Sequence, residues 1–463
     1  MGEPRTRVFF LLRAALLVVC AFALSCADDR ETAAVDEDAA QNAIDAPAAT
    51  DSGSSNDVRN LILISLDTLR PDHLGLYGYS RATSPNLDRF AEGAVVFEGA
   101  TAQASSTRPS HQSLFLSKPP STAALGGLAL AEVLAEQGFR TAAYTGGGNI
   151  SSQLGFARGF EVYEENSTGL ASELTKASAW LRAHRDERFF LFLHTYDIHL
   201  PYDPPEPHYS MFAQPYDGPV RGDNSRPILR REAELNKEVS ELDANDREHV
   251  IALYDGGIHY TDAQLAHLLA LVEELKLEDD TAIVFFSDHG EEFWEHGSVI
   301  HSRTLFQELI HVPLLIRAPG LAPARISTIV PMMDLSPTLL ELLGIAPPAQ
   351  FEGRTLTPLI AGQEAQSQHR TVASEQRALK SILEFPWKLV RDEDGGEALL
   401  FNLVSDPGEE NNLAATQPEV LARLNKQLSD RFEGHLGTAV PEVQPGIEDP
   451  ELLERLRALG YIE

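Results

Sequence analysis

The chain alternates continuous apolar runs with amphipathic ones. "NLILISLD" (Asn60–Asp67), "RTAAYTG" (Arg140–Gly146), "FFLFLHTYD" (Phe189–Asp197), "TAIVFFSDHG" (Thr281–Gly290) and "VPLLIRAPG" (Val312–Gly320) are short and rich in leucine, β-branched and aromatic residues. Such runs predict strands buried on both faces of a sheet. "LALAEVLAEQG" (Leu128–Gly138) and "HYTDAQLAHLLALVEELK" (His259–Lys276) carry the helical period instead. Strands alternating with helices predict an α/β fold, a mainly parallel β-sheet sandwiched by helices. Functional residues of such sheets gather just past the carboxyl ends of the strands. Asp67, the "HTYDIH" cluster and "SDHG" all fall there. A carboxylate from each of two strands, Asp67 and Asp288, with the adjacent imidazole of His289, is a divalent-metal pattern.

Length and the first residues add organisation. At 463 residues the chain exceeds one small core, which predicts a large domain with a smaller one appended. Arg5, Arg7 and Arg13 precede or interrupt an apolar run from Val8 to Leu24, and "ALSC" ends at Cys26. A basic start and a short apolar stretch read as an export leader over 1–26, of the lipoprotein type with Cys26 as the lipidated terminus. Residues 27–57 are acidic, rich in alanine and serine and poor in large apolar residues, which predicts a disordered tether. The expected location is therefore periplasmic or cell-surface. Cys20 and Cys26 both lie in the leader, so the remainder of the chain has no thiol for a disulfide, a zinc–thiolate site or a nucleophile. The net charge of −32 argues against nucleic acid or an anionic membrane as a polyelectrolyte partner. Membrane association is expected only through the lipid anchor.

From Asn60 to Leu413 the chain resembles the sulfatase family, within the alkaline-phosphatase-like superfamily. The resemblance rests on "NLILISLDTLRPDH", "ASSTRPSHQSL", "FFLFLHTYDIHLPYDPP", "YDGGIHYTDAQLAHLL", "VFFSDHGEEFWEHG", "PMMDLSPTLLELLGI" and "LLFNLVSDPGEENNLA", in the family's order. It implies an alkaline-phosphatase-like catalytic domain over 58–345, a C-terminal subdomain over 346–463, and ester hydrolysis. "RTVASEQRALKSIL" and "WKLVRD" suggest a strand pair there, and "PEVLARLNKQLSDRF" a helix.

The family's core signature is Cys or Ser, any residue, Pro, any residue, Arg, with the first residue oxidised to formylglycine. Register on Pro109 puts Thr107 at the nucleophile position and His111 at the arginine, and leaves Ser105 and Ser106 as polar loop residues. Threonine cannot become formylglycine. A formylglycine hydrate uses its second hydroxyl to expel sulfate, and Thr107 has only one. A phospho-threonine can be released by attack of water at phosphorus. This chemistry favours phosphodiester or phosphonate ester cleavage over sulfate ester cleavage.

The resemblance further implies that one divalent ion binds Asp67, Thr107, Asp288 and His289. Thr68 stands where sulfatases carry a second aspartate, and the mixed oxygen and nitrogen set suits zinc or manganese better than calcium. His111, His199 and His301 match positions the family fills with basic groups. His199 is the expected proton donor to the leaving group. Arg70 is expected to brace the Asp67 loop, Glu295 and His296 to shape a loop, and the segment from Tyr209 to Arg247 to cover the site rim. His194 alternates with Phe192 along a strand, and both a core role and a site role stay open.

Two other function classes compete. A transferase could move a phospho-head-group onto a glycan or lipid through Thr107, but no second apolar run reaches the ~20 residues of a membrane span. A degenerate binding module would have no need of the charged cluster Asp67, Asp288 and His289.

Overall fold

The computed structural model describes residues 58–432 except residues 125, 166–168, 236–239 and 367, together with residues 452, 453, 456 and 457. The leader over 1–26, Cys26 and the tether over 27–57 lie outside the described residues.

The strands are β1 (Asn60–Leu66), β2 (Val95–Thr101), β3 (Arg140–Thr145), β4 (Val162–Glu165), β5 (Phe189–Thr195), β6 (Thr281–Phe286), β7 (Glu292–Phe293), β8 (Val299–Ile300), β9 (Leu314–Arg317) and β10 (Ala324–Pro331), then β11 (Val372–Gln376), β12 (Leu379–Glu384), β13 (Trp387–Asp392) and β14 (Leu399–Asn402). Eight of them form one sheet in the order β10-β2-β9-β6-β1-β5-β3-β4. Only β9 runs against its neighbours, pairing antiparallel with β2 and β6. The reason lies in its connection. After β6 the chain stays at the strand ends through the β7–β8 hairpin, and only a four-residue helix, Gln307–Ile310, precedes β9. A parallel strand needs a crossover back to the opposite edge.

The sheet is covered on both faces, as the unbroken apolar runs require. Leu61 and Leu63 of β1 and Phe190 and Phe192 of β5 pack into one layer. Ile62, Ile64 and Leu66, with Leu191 and Leu193, pack into the other. The second layer includes the helix Ala244–Glu274, whose first turn is capped by Asp243 accepting from the amides of Asn245 and Asp246. It begins well before the helical run visible in sequence. Gly256 and Gly257 interrupt the pattern because a Cβ there would crowd the carbonyls of His208 and Asp197, at 2.6 and 3.1 Å. The helix thereby admits the loop that carries His199.

A second sheet, β11-β12-β13-β14, is antiparallel throughout. "RTVASEQRALKSIL" is not one strand but the hairpin β11–β12, turned at Arg377 with φ 53°. With β14, this gives four strands where one pair was expected. Ile382, Leu389 and Leu400 pack on Leu424, Leu428 and Phe432, the last three from the helix Pro418–Arg431 and its cap. Lys388 is fully buried against Glu409 at 2.7 Å, a structural role. Strand β11 docks on the segment before Thr107. The Ser374 hydroxyl donates to the Ala102 carbonyl at 2.7 Å, and the Glu375 amide to the Gln103 carbonyl at 2.8 Å. Among the described residues, no helix is long and apolar enough to cross a membrane.

Candidate active site

Two strands end together. Asp67 follows β1, and Asp288 and His289 follow β6 beside it. The Ser287 hydroxyl ties the two loops, accepting from the Leu69 amide at 3.0 Å and donating to the His289 carbonyl at 2.7 Å. The turn after Asp67 places Thr68 at φ 60°, and its hydroxyl donates back to the Asp67 carbonyl at 2.7 Å. Thr107 opens the helix Thr107–Leu116. The Ser110 hydroxyl on its first turn donates to the Asp288 carbonyl at 2.5 Å. Loop and helix are thus fixed to each other independently of any ligand.

The donor atoms converge. The Thr107 hydroxyl oxygen lies 3.2 Å from Asp67 Oδ2 and 3.3 Å from His289 Nε2. His289 Nδ1–H donates to the Gly290 carbonyl at 2.9 Å, which aims Nε2 inward. Nε2 is 3.5 Å from Asp288 Oδ2. Ligand atoms of Asp67, Asp288 and His289 all lie within 4.8 Å of one another. Asp67 Oδ1 and both Asp288 carboxylate oxygens are buried with no hydrogen-bond partner. Buried orphan oxygens are costly unless a cation satisfies them, so these residues fit a divalent ion.

Their titration carries the same signature. Burial pushes Asp67 up to about 7. Asp288 is raised by burial and by the nearby Asp67. Burial opposes charge on His289, but Asp288 and Asp67 outweigh it and lift its pKa.

The other expected residues separate into two groups. His199 and His301 stand over the site with ring centroids 4.9 Å apart, and His301 is 4.6 Å from the His289 ring. Thr107 is 0% exposed, His199 3% and His301 8%. Burial holds both imidazoles well below their usual pKa. His111 also touches the cluster, with Nδ1 3.4 Å from Asp288 Oδ2. Its Nδ1–H donates to the Thr107 carbonyl at 2.9 Å, and its Nε2 pairs with the Ser65 hydroxyl at 2.9 Å. Phe115, Phe192 and Phe286 surround the ring, and burial pushes its pKa to about 4. Aromatic burial disfavours a cation on His111, the residue expected to supply a basic group, while Asp288 beside it acts in the opposite sense.

His194 is also fully buried, but it reaches the site, with Nε2 3.2 Å from Asp67 Oδ2. Glu291 is a residue the sequence reading missed. Its carboxylate accepts from His301 Nδ1 at 2.8 Å and from the Tyr202 hydroxyl at 2.8 Å, and burial pushes its pKa to about 7. The signal was the carboxylate two residues beyond His289. Gln376 was missed as well. It accepts from the Ser106 hydroxyl at 2.9 Å and donates to the Ser302 carbonyl at 3.2 Å, so β11 joins the loops of Thr107 and His301. Ile300 and Ser302, both at φ 69°, flank His301. Such a conformation in a β-branched residue marks strain held at a functional loop.

Arg70 binds Asp72 and Glu295, each at 2.6 Å, and the Glu291 carbonyl at 2.8 Å, as a brace. His296 Nδ1 pairs with Glu308 at 2.6 Å. The rim segment contributes the helix Ser225–Glu234, fastened by Arg303 donating to the Ala233 carbonyl at 2.7 Å and by the Trp294 indole to Glu232 at 3.1 Å.

Residues 59–345 match the sulfatase family profile, and residues 294–434 match the C-terminal profile of N-sulphoglucosamine sulphohydrolase. Arylsulfatase K of Mus musculus is 30% identical over 199 residues, 40% of this chain and 36% of that protein. Delta 4,5-hexuronate-2-O-sulfatase of Bacteroides thetaiotaomicron is 30% identical over 182 residues, 36% of this chain and 37% of that protein. The matches thus span little more than a third of these relatives. The crystal structure of phosphonate monoester hydrolase of Agrobacterium radiobacter superposes with a TM-score of 0.68 at 22% identity, covering 82% of this chain and 96% of that one. The last likeness is one of fold.

Proposed function

The chain belongs to the sulfatase family, and from that premise we propose that it is a metal-dependent hydrolase of anionic esters with Thr107 as nucleophile. The observation that carries this reading is the Thr107 hydroxyl, 3.2 Å from Asp67 Oδ2 and within a cluster of orphaned carboxylate oxygens. Asp67, Asp288, His289 and the Thr107 oxygen would hold the ion, with zinc or manganese favoured by the donor set. A divalent ion there supplies Lewis-acid charge and favours the ionised hydroxyl.

The chain's own residues account for the rest. Thr107 Oγ1 faces its proton toward Asp67 Oδ2 and loses it while attacking phosphorus or sulfur. Asp67 takes that proton. His199 Nε2, protonated only once the anionic ester lies beside it, gives its proton to the departing alcohol oxygen and recovers one from the water of the second step, while Asp67 gives its proton back to Thr107 Oγ1. Glu291 holds His301 by Nδ1, which supports positive charge on that ring when an anionic substrate arrives. Water then attacks the esterified Thr107 in line and frees the acid. With one hydroxyl at Thr107, this second step favours phosphorus over sulfur. Both chemistries occur in the names of its relatives, sulfatases on one side and a phosphonate monoester hydrolase on the other.

The test is a panel of aryl sulfate, phosphate monoester, phosphate diester and phosphonate monoester, each with zinc, manganese or calcium. Turnover of a phosphorus ester that Thr107→Ala abolishes is expected. Faster turnover of the sulfate than of every phosphorus ester would overturn the preference, and an active Thr107→Ala would overturn the nucleophile. The leader over 1–26, with lipidation at Cys26, belongs to the same proposal. Its check is accumulation of precursor when the lipoprotein signal peptidase is inhibited.

A further inference from the structure

Arg108 is the second residue of the helix that Thr107 opens, so the two Cα atoms are about 3.8 Å apart. It is 5% exposed and has no hydrogen-bonding or charged partner among the described residues. Nη1 is sealed from solvent. Arg70, equally buried, shows the contrast, because two carboxylates and a carbonyl answer its charge. A guanidinium cannot shed its charge, and burying it unpaired is strongly unfavourable. Among the described residues, no carboxylate oxygen accepts a hydrogen bond from Nη1. Its charge is therefore not spent on Asp67 or Asp288.

We propose that Arg108 forms a second oxyanion subsite beside Thr107. It takes a carboxylate, sulfate or phosphate group that the substrate carries apart from the ester being cleaved. Only the word substrate rests on the hydrolase reading; anion binding at Arg108 does not.

The test compares wild type with Arg108→Met and Arg108→Lys, full length and chelated, by thermal melting in sodium sulfate against chloride of matched ionic strength. In chloride, Arg108→Met is expected to melt at or above wild type, because an unanswered charge has been removed. Sulfate is expected to raise wild type by about 3 °C more than Arg108→Met, with Arg108→Lys between. A Met variant that melts several degrees below wild type in chloride, or equal sulfate shifts in all three, overturns the subsite. The second arm uses phenyl esters of the acid that is turned over, unsubstituted and with a carboxylate at the ortho, meta or para position. In wild type one carboxyphenyl ester is expected to have a KM about tenfold below the unsubstituted ester, and Arg108→Met to bring that ratio to near one. Equal KM ratios in the two proteins overturn the claim about substrate. If no ester is turned over at all, the hydrolase reading fails, and the melting comparison still decides the subsite.

Discussion

The single hydroxyl of Thr107 sets what substitution can do at that position. Thr107→Ser keeps the oxygen and is expected to stay within about tenfold of wild-type kcat, while Thr107→Ala loses at least about 1000-fold. Steady-state kinetics on one substrate separates the two. Asp67 gives a second prediction. Its folded pKa, about 7, lies above the ordinary value of 3.8 because it is buried. The metal-free folded state therefore holds a proton more tightly than the unfolded chain. That stabilisation is complete below the unfolded pKa and is lost as pH rises through the folded one. A divalent ion replaces the proton, so the rise in Tm on adding zinc or manganese should grow from about pH 5 to about pH 8. An ion effect that is flat over that range would count against Asp67 as a ligand. At this scale the sequence reading reached Asp67, Asp288 and His289, because strand ends are visible in an apolar pattern. The charge of His111 was not visible, since it depends on Phe115, Phe192 and Phe286 closing around the ring. Nor was Glu291, whose meaning comes from Tyr202 and His301.

Between elements, the site is held by contacts that composition does not announce. Gly290 follows His289, and a Cβ there would collide with the Glu308 carbonyl, so backbone must shift. Gly290→Ala is expected to cost about 1–3 kcal/mol in stability and to weaken metal binding, read by denaturant melts and metal titration. Gln376 joins the Ser106 and Ser302 loops from outside the main sheet. Gln376→Ala is expected to lower kcat about tenfold while Tm falls by only a few degrees, about the effect of two lost hydrogen bonds. Unchanged kcat would reduce Gln376 to a packing residue. The parallel strands and their helices were legible because burial on two faces leaves no polar alternation. The reversed direction of β9 was not, because direction is decided by where the chain travels between strands. The start of the Ala244–Glu274 helix was hidden by Gly256 and Gly257, which serve a neighbouring loop rather than the helix.

For the whole molecule, the net charge of −32 opposes an anionic ester at a distance. Raising ionic strength from about 0.01 M to about 0.15 M shortens the screening length from about 30 Å to about 8 Å, so kcat/KM for an anionic ester should rise. A fall would mean that attraction local to the site governs encounter. The two-sheet architecture has a last consequence, in time rather than in space. Ser106 and Gln376 meet although 270 residues separate them. A ribosome adds about 5–20 residues per second, so the loop carrying Thr107 exists for roughly tens of seconds before its clamp has been made. A growing chain therefore carries Thr107 before the contact that fixes its loop. The full geometry of the proposed site is deferred until Gln376 has been made and β11 has docked.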